Sequence, residues 1–412
     1  MLRILIFYCF IVNCFAESSL YELIQNAKNN PLIQSKIAQH QALKQEKNAL
    51  YSDYLPKVAV GYNYQNITNA DLFYPKEAQG FFVESSFNLF DGFKREGKVK
   101  IQDSIVESAY FSYLDTKEKV FLEIITKYYS MLIAKSKQEA LLNQQLELRE
   151  NLKKQEILYN SGLIQQDSLE AIRSQFLQNS YNLENVKVEI SIYKENLSLL
   201  SGVEVLDINK DSKLKNVGLN QKMPNYLLSQ RYYAQSIEYS KMLYTYLPTI
   251  TIFNKYTNYN YGTRNVPTLP FSFDIQDPKY QNIFGISISF TIFDTFATSF
   301  AKESARLNAL VANTEYAYNV DKNNKDRIIA KNALHSAEEK IKWAASALKS
   351  AQISHGYARE KFNAQLIDYT EYLSSLTSLF NAQSFYDESY FSYEIQKAKF
   401  LYVNGENLEE YL

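Results

Sequence analysis

The sequence is short of the residues that reverse a chain. Its 412 residues include 8 Pro and 11 Gly, beside 34 Tyr and 25 Phe. Ordinary globular domains carry roughly twice as much of both turn formers, so the elements here are long and a turn-rich enzyme domain is excluded. Charge of one sign is also missing: 44 Lys and Arg face 45 Asp and Glu, a net charge of −1. No basic stripe is present to recruit nucleic acid. The three histidines, His40, His335 and His355, stand in no metal-ligand spacing. No phosphate-cradling glycine loop or nucleophile elbow occurs, and no carboxylate stands isolated in an apolar run that would tune it for acid–base work. The chain therefore does not read as an enzyme, and no cofactor or metal is assigned. The single tryptophan, Trp343, is expected to pack against a neighbouring helix.

Cysteine is confined to Cys9 and Cys14. Arg3 precedes an apolar run, Ile4 to Phe15, too short to span a bilayer as a helix. Cys14 and Ala16 supply small residues at both cleavage positions, so residues 1–16 read as a secretory signal peptide. The alternative is a lipoprotein anchor at Cys14, which Asn13 fits poorly. A mature chain without thiols suits an oxidising compartment. No later segment has 18 consecutive apolar residues, so any passage through a membrane must use strands.

Breakers divide what remains. Two proline-free stretches, from Lys76 to Met223 and from Lys279 to Leu412, carry apolar residues three or four apart. In the first, Val99, Val106, Tyr113 and Val120 are spaced by seven, predicting long helices with coiled-coil packing. Between Pro56 and Phe90, and again from Thr249 to Ile292, the period falls to two. Val58, Val60, Tyr62 and Tyr64 alternate with small or polar residues, and Phe284 to Ile292 alternates without a break. Four strands in two hairpins follow, at about 57–65, 81–90, 249–261 and 283–293.

The pattern occurs twice. Leu55-Pro56 recurs as Leu247-Pro248, and Leu89-Phe90-Asp91-Gly92-Phe93 recurs as Ile292-Phe293-Asp294-Thr295-Phe296. Tyr159-Asn160-Ser161-Gly162-Leu163 recurs as Phe362-Asn363-Ala364-Gln365-Leu366, and Gly202 as Gly405. Each repeat reads as helix, strand, strand, long helix, helix. After the signal come repeat 1 (17–202, long helices about 94–160 and 163–200), a polar linker (203–222), repeat 2 (223–403, long helices about 297–361 and 366–403) and a tail (404–412). The extra length of the second hairpin falls around Pro267, Pro270 and Pro278. In each repeat one rod of roughly 100 Å, at 1.5 Å per residue, matches two shorter helices laid end to end, which predicts a helical cylinder of even height.

Four strands cannot close a spanning barrel, which needs about eight. An open edge in lipid leaves backbone groups unpaired at several kcal/mol each. If the strands enter a membrane, several chains must share one barrel, with Tyr62, Tyr64, Phe81, Tyr256 and Phe293 suited to interfacial girdles. The alternative is a pair of half-buried hairpins in a soluble protein.

The ordered set of motifs, repeated twice, resembles the TolC-like outer-membrane efflux proteins, over about Ser19 to Gly405. The resemblance implies a mainly α fold with a β membrane part: a homotrimer with a 12-stranded β-barrel on a 12-helix α-barrel. It places the barrel in outer-membrane lipid of a bacterial cell and the helices in the periplasm. It also implies a periplasmic adaptor (membrane fusion) protein and an inner-membrane transporter as partners. Cargo would be drugs or other small toxic compounds; type I protein secretion and metal-ion efflux are the alternatives, and an exported coiled-coil structural or adaptor protein is the reading of a different class. Matching the turns to the family places Glu371 at a gate carboxylate position and Ser374 where a second acid is usual. Asp368 and Asp167 are nearby candidates for the constriction. The ordinary reading of these acids is that the helix dipole favours them near a helix start. The turns themselves, Tyr159, Asn160, Gly162 and Leu163 with Phe362, Asn363, Gln365 and Leu366, are the implied adaptor contacts. Gly162 ends a helix more cheaply than Gln365, so the two turns are expected to differ in stiffness or in adaptor binding.

Overall fold

A computed structural model of the chain describes residues 17–68, 76–210, 212–215, 218, 221–262 and 278–412. The signal segment with Cys9 and Cys14, and the loop holding Pro267 and Pro270, lie outside these residues. The fold is mainly helical with one small antiparallel sheet, in the order α1 (Leu20–Ala27), α2 (Pro31–Tyr51), β1 (Lys57–Asn66), β2 (Glu77–Phe90), α3 (Lys94–Asn160), α4 (Gln166–Ser201), α5 (Asn225–Tyr239), β3 (Thr249–Tyr261), β4 (Tyr280–Ser289), α6 (Ala297–Asn363) and α7 (Tyr369–Val403). Contacts divide the chain into two compact units. One comprises residues up to 37 with 111–227 and 319–412, and the other 38–110 with 228–318.

The first unit holds the apolar core. Phe121, Ile124, Ile125, Tyr128, Tyr129 and Leu132 of α3 meet α1 through Leu20, Leu23 and Ile24, α4 through Leu197, and α7 through Ala398 and Leu401. These α3 positions recur at three and four, the spacing that puts one stripe of a helix against its neighbours. A box of reciprocal bonds between Ser19 and Glu22 starts α1. The linker lies on this core, because Tyr128 Oη donates to the Asn209 carbonyl and Tyr129 Oη donates to that of Ser212 at 3.0 Å.

The C-terminal tail is held by charge. Its 3-10 turn, Leu408–Tyr411, buries Leu408 and aims the Leu408 N–H at Glu118 Oε2, 2.9 Å away. Glu409 accepts from Lys28 at 2.5 Å and from Lys117 at 3.2 Å. Those cations hold its carboxyl down at about 2. Glu118 is the opposite case: only 7% exposed, it is raised by burial from 4.5 to about 7. Glu147 on the same helix is likewise raised to about 7 by burial. Neither of these buried carboxyls stands in an apolar run of the sequence. The sequence hides them because single polar residues interrupt an apolar stripe that only tertiary packing seals.

A pH dependence follows. A carboxyl whose folded pKa exceeds its unfolded value binds more protons in the folded state. Its stability contribution is complete below 4.5 and is lost as pH rises through 7. Each such shift corresponds to at most about 3 kcal/mol. The protein should melt higher at pH 5 than at pH 8, and Glu118→Gln with Glu147→Gln should flatten that slope in thermal unfolding monitored by circular dichroism.

The second unit is built on the sheet, ordered β1-β2-β3-β4 with all neighbours antiparallel. The two hairpins are thus joined through β2 and β3, leaving β1 and β4 as open edges. Thr249 pairs with Ser289, so the ladder stops there rather than continuing to Phe293. Pro248, immediately before β3, has no N–H to offer a further rung. At the other end β2 starts at Glu77, where it pairs with Asn66.

The backbone itself carries the duplication. Among the described residues eight have φ in the left-handed region, and they form four pairs exactly 203 positions apart in sequence: Gly92 and Thr295, Phe93 and Phe296, Gly162 and Gln365, Gly202 and Gly405. In the first repeat Asp91 accepts from the Lys94 and Arg95 N–H groups to start α3, and in the second Asp294 accepts from the Thr298 N–H to start α6. Residues with a Cβ enter this region at about 1–2 kcal/mol each. The second repeat therefore keeps the turn although it has lost two of the glycines.

Candidate functional site

The sheet has two unlike faces. Through the register, Val58 lies beside Ser85, Asn254 and Phe284, while Tyr62 lies beside Phe81, Asn258 and Tyr280. Val58, Val60, Phe81, Phe284, Ile286 and Ile288 on this face are all exposed in the single chain. Alternation puts Ala59, Asn63, Gln65, Ser86, Thr257, Gln281 and Ser287 on the opposite face. One side is rich in exposed Val, Ile and Phe, above all on β1 and β4; the other is mostly small and polar, with Phe82, Phe253 and Ile283 among its residues. Aromatic rings gather toward one end of the apolar face, where Tyr62 and Phe81 lie 4.8 Å apart and Tyr256 stacks on Tyr280 at 6.3 Å. Phe293, 68% exposed, falls beyond the ladder at the other end.

The helix turns belong to the other unit. Gly162 and Gln365 adopt φ of 70° and 59°. Leu163 N–H reaches Leu158 O at 2.9 Å and Gly162 N–H reaches Tyr159 O at 2.9 Å; the same bonds recur from Leu366 to Lys361 at 2.8 Å and from Gln365 to Phe362 at 2.9 Å. This is one helix-ending motif used twice, so the turns share a backbone geometry and differ in the cost of reaching it. Leu163 and Leu366 point into solvent at both. Asn160 and Asn363 are the last residues of α3 and α6.

Of the gate candidates, Asp368, Glu371 and Ser374 are brought to one helix end. Asp368 is the N-cap of α7, its Oδ1 accepting from the Glu371 N–H at 2.8 Å. Glu371 and Ser374, one turn apart, are both exposed. Asp167, in the first turn of α4, accepts from the Ser168 N–H at 2.8 Å. Among the described residues no hydrogen bond or ion pair joins it to the other three. Asp368 thus has a structural duty, whereas Glu371 keeps its carboxylate free of such a bond.

Around this helix end lies a group that spacing alone did not reveal. Phe362 stacks on Tyr372 at 4.9 Å, Tyr369 lies 5.8 Å from Phe362, and Lys154 Nζ sits 5.4 Å from the Tyr369 ring. His355 packs 5.5 Å from Tyr372 with Nδ1 3.1 Å from Ser375 Oγ, and burial lowers its pKa. Glu147 of α3 accepts from Thr377 Oγ1 of α7 at 2.8 Å. The aromatic residues flanking each turn were the available signal. Among the described residues no group of His, Cys, Asp and Glu could hold a metal ion.

Trp343, 66% exposed in the single chain, is largely left uncovered by this chain's own helices. The reason is that the face of α6 carrying Ile329, Trp343 and Tyr357, at intervals of two heptads, has no cover within the chain. A second uncovered stripe runs along α4 through Leu177, Tyr181, Val188, Ile192 and Leu199, at intervals of four and seven.

The model of the outer membrane efflux protein family matches residues 23–203. No curated protein matches the chain by sequence. Among solved structures, the outer membrane protein VceC of Vibrio cholerae is 14% identical with a TM-score of 0.79, covering 94% of this chain and 96% of its own. The CmeC outer membrane channel of Campylobacter jejuni is 14% identical with a TM-score of 0.78, over 95% and 87%. The open state of the Neisseria gonorrhoeae MtrE outer membrane channel is 11% identical with a TM-score of 0.74, over 94% and 89%. At these identities the structures attest the fold alone. The chain is thus similar to outer membrane efflux proteins, by sequence over residues 23–203 and by fold over both repeats.

Proposed function

We propose that three copies of the chain form one outer-membrane exit duct, joining twelve strands into a barrel and their helices into a periplasmic tunnel. The observation that carries this reading is the four-stranded sheet with one apolar face, one polar face and two open edges. In lipid such edges must be paired, and in a closed barrel the polar face lines water. The bare stripes on α4 and α6 fit the same reading, since heptad-spaced apolar residues are what a neighbouring helix covers.

The cargo is a drug or another small toxic compound, passed from an inner-membrane transporter through a periplasmic adaptor that grips the turns around Gly162 and Gln365. Glu371 lines the periplasmic constriction, where three carboxylates about one axis hold cations and repel anions. Planar-bilayer recording tests this: Glu371→Ala should raise single-channel conductance or relieve block by divalent cations. An unchanged response removes Glu371 from the constriction. For the duct as a whole, an SDS-resistant trimer in outer-membrane fractions is expected. Deleting the gene should raise drug susceptibility and leave secreted proteins unaltered. A soluble periplasmic monomer would overturn the reading.

A further inference from the structure

The polar face of the sheet is almost free of charge. Among the described strand residues, Lys57 and Glu77 stand at strand starts, and only Glu84 and Lys255 lie between the ends. These two are directly paired across β2 and β3, on a rung that runs Ala59, Glu84, Lys255, Ile283. Lys255 Nζ is 3.6 Å from Glu84 Oε2 and 4.7 Å from the centre of the Phe82 ring. That ring lies against the wall because residue 61 is glycine; a Cβ there would come within 2.5 Å of it. The cation is thus held by a carboxylate on one side and the face of an aromatic ring beneath it, an arrangement favourable to both.

We infer that the Glu84–Lys255 pair is the charge-selectivity element of the pore at the level of the sheet, keeping its lumen neutral so that inorganic anions and cations pass alike. The inference rests on the proposed channel, in which this face lines water. Neutral neighbours such as Asn63, Thr257 and Gln281 supply no competing charge. Removing one partner leaves a bare charge in each copy, so three like charges would ring the lumen, and such rings set ion preference in pores.

The test is the reversal potential of the oligomer in planar bilayers under a KCl gradient, recorded in a Glu371→Ala background so that the carboxylates at the constriction do not set the ion preference. Lys255→Gln should shift it toward cation preference and Glu84→Gln toward anion preference. The double variant, and the exchanged pair Glu84→Lys with Lys255→Glu, should return to the value of that background. Should one single variant fail to assemble, the other decides alone, because each leaves a bare charge of known sign: a potential displaced in the stated direction supports the inference and an unchanged one overturns it. Single variants that conduct with unchanged potentials also overturn it. A wild-type protein that forms no pores instead removes the channel reading on which the inference stands.

Discussion

Lys397→Ala should destabilise the protein by about 3–5 kcal/mol, the usual cost of leaving one member of a buried ion pair alone. Lys397 and Glu394, both on α7, are each 3% exposed, with Nζ and Oε2 3.9 Å apart. Burial pushes the lysine down and the glutamate up, each toward its neutral form. What holds them is the linker. Lys397 donates to the Leu214 carbonyl at 2.6 Å, and Glu394 accepts from the Leu214 N–H at 3.1 Å. One residue of the linker is therefore fastened through both of its backbone groups. Deleting the lysine strips the Leu214 carbonyl of its donor and leaves an uncompensated carboxyl beside it. Thermal unfolding should fall, and limited proteolysis should open the linker near Leu214. Adding Glu394→Gln should recover much of the loss, because the amide oxygen still accepts from Leu214. Wild-type melting of Lys397→Ala would mean that the pair contributes nothing to holding the linker.

Ile288→Arg should have the second large effect, about 2–4 kcal/mol if the residue faces lipid near mid-bilayer. Ile288 is 69% exposed on the apolar face, beside Ile250 of β3, and stands between the aromatic residues Tyr280 and Phe293. Its neighbour Ser287 belongs to the opposite face, so Ser287→Arg provides the contrast. The isoleucine variant should yield little SDS-resistant oligomer, while the serine variant should assemble and retain a folded barrel. Equal assembly of both would count against the assignment of the two faces.

Much of this architecture was readable before any coordinates. Alternation from Phe284 gave a strand and its apolar side as far as Ser289, where the ladder ends, because side chains in extended chain alternate at a period of two. The duplication was readable because turns are chemically demanding. Asp91 and Asp294 recur at the positions where they cap α3 and α6, and Gly162 finds its counterpart in Gln365. The stiffness difference expected from that last exchange did not extend to conformation. Two helix-ending hydrogen bonds impose the left-handed backbone on glutamine as firmly as on glycine.

The candidate site was less readable. Glu371 and Asp368 were found only by the likeness of the turns. Their distinction, a cap in one case and a free carboxylate in the other, depends on where α7 begins. Glu118, Glu147 and Glu394 look like ordinary helix-surface acids in the sequence, since nothing local says which side of a long helix will be covered. Glu84 and Lys255 are 171 residues apart in a chain with 89 charged residues, and no spacing rule joins them.

By itself, then, the sequence determined the elements, their order and their repetition, all of which are set by short-range periodicity and by the few residues that can turn a chain. The tertiary structure alone decided which acids lose water, which backbone groups the linker and tail surrender to them, and which two charges meet on the polar face. Those outcomes depend on strand register and helix packing, where partners arrive from distant parts of the chain and a local pattern has no say.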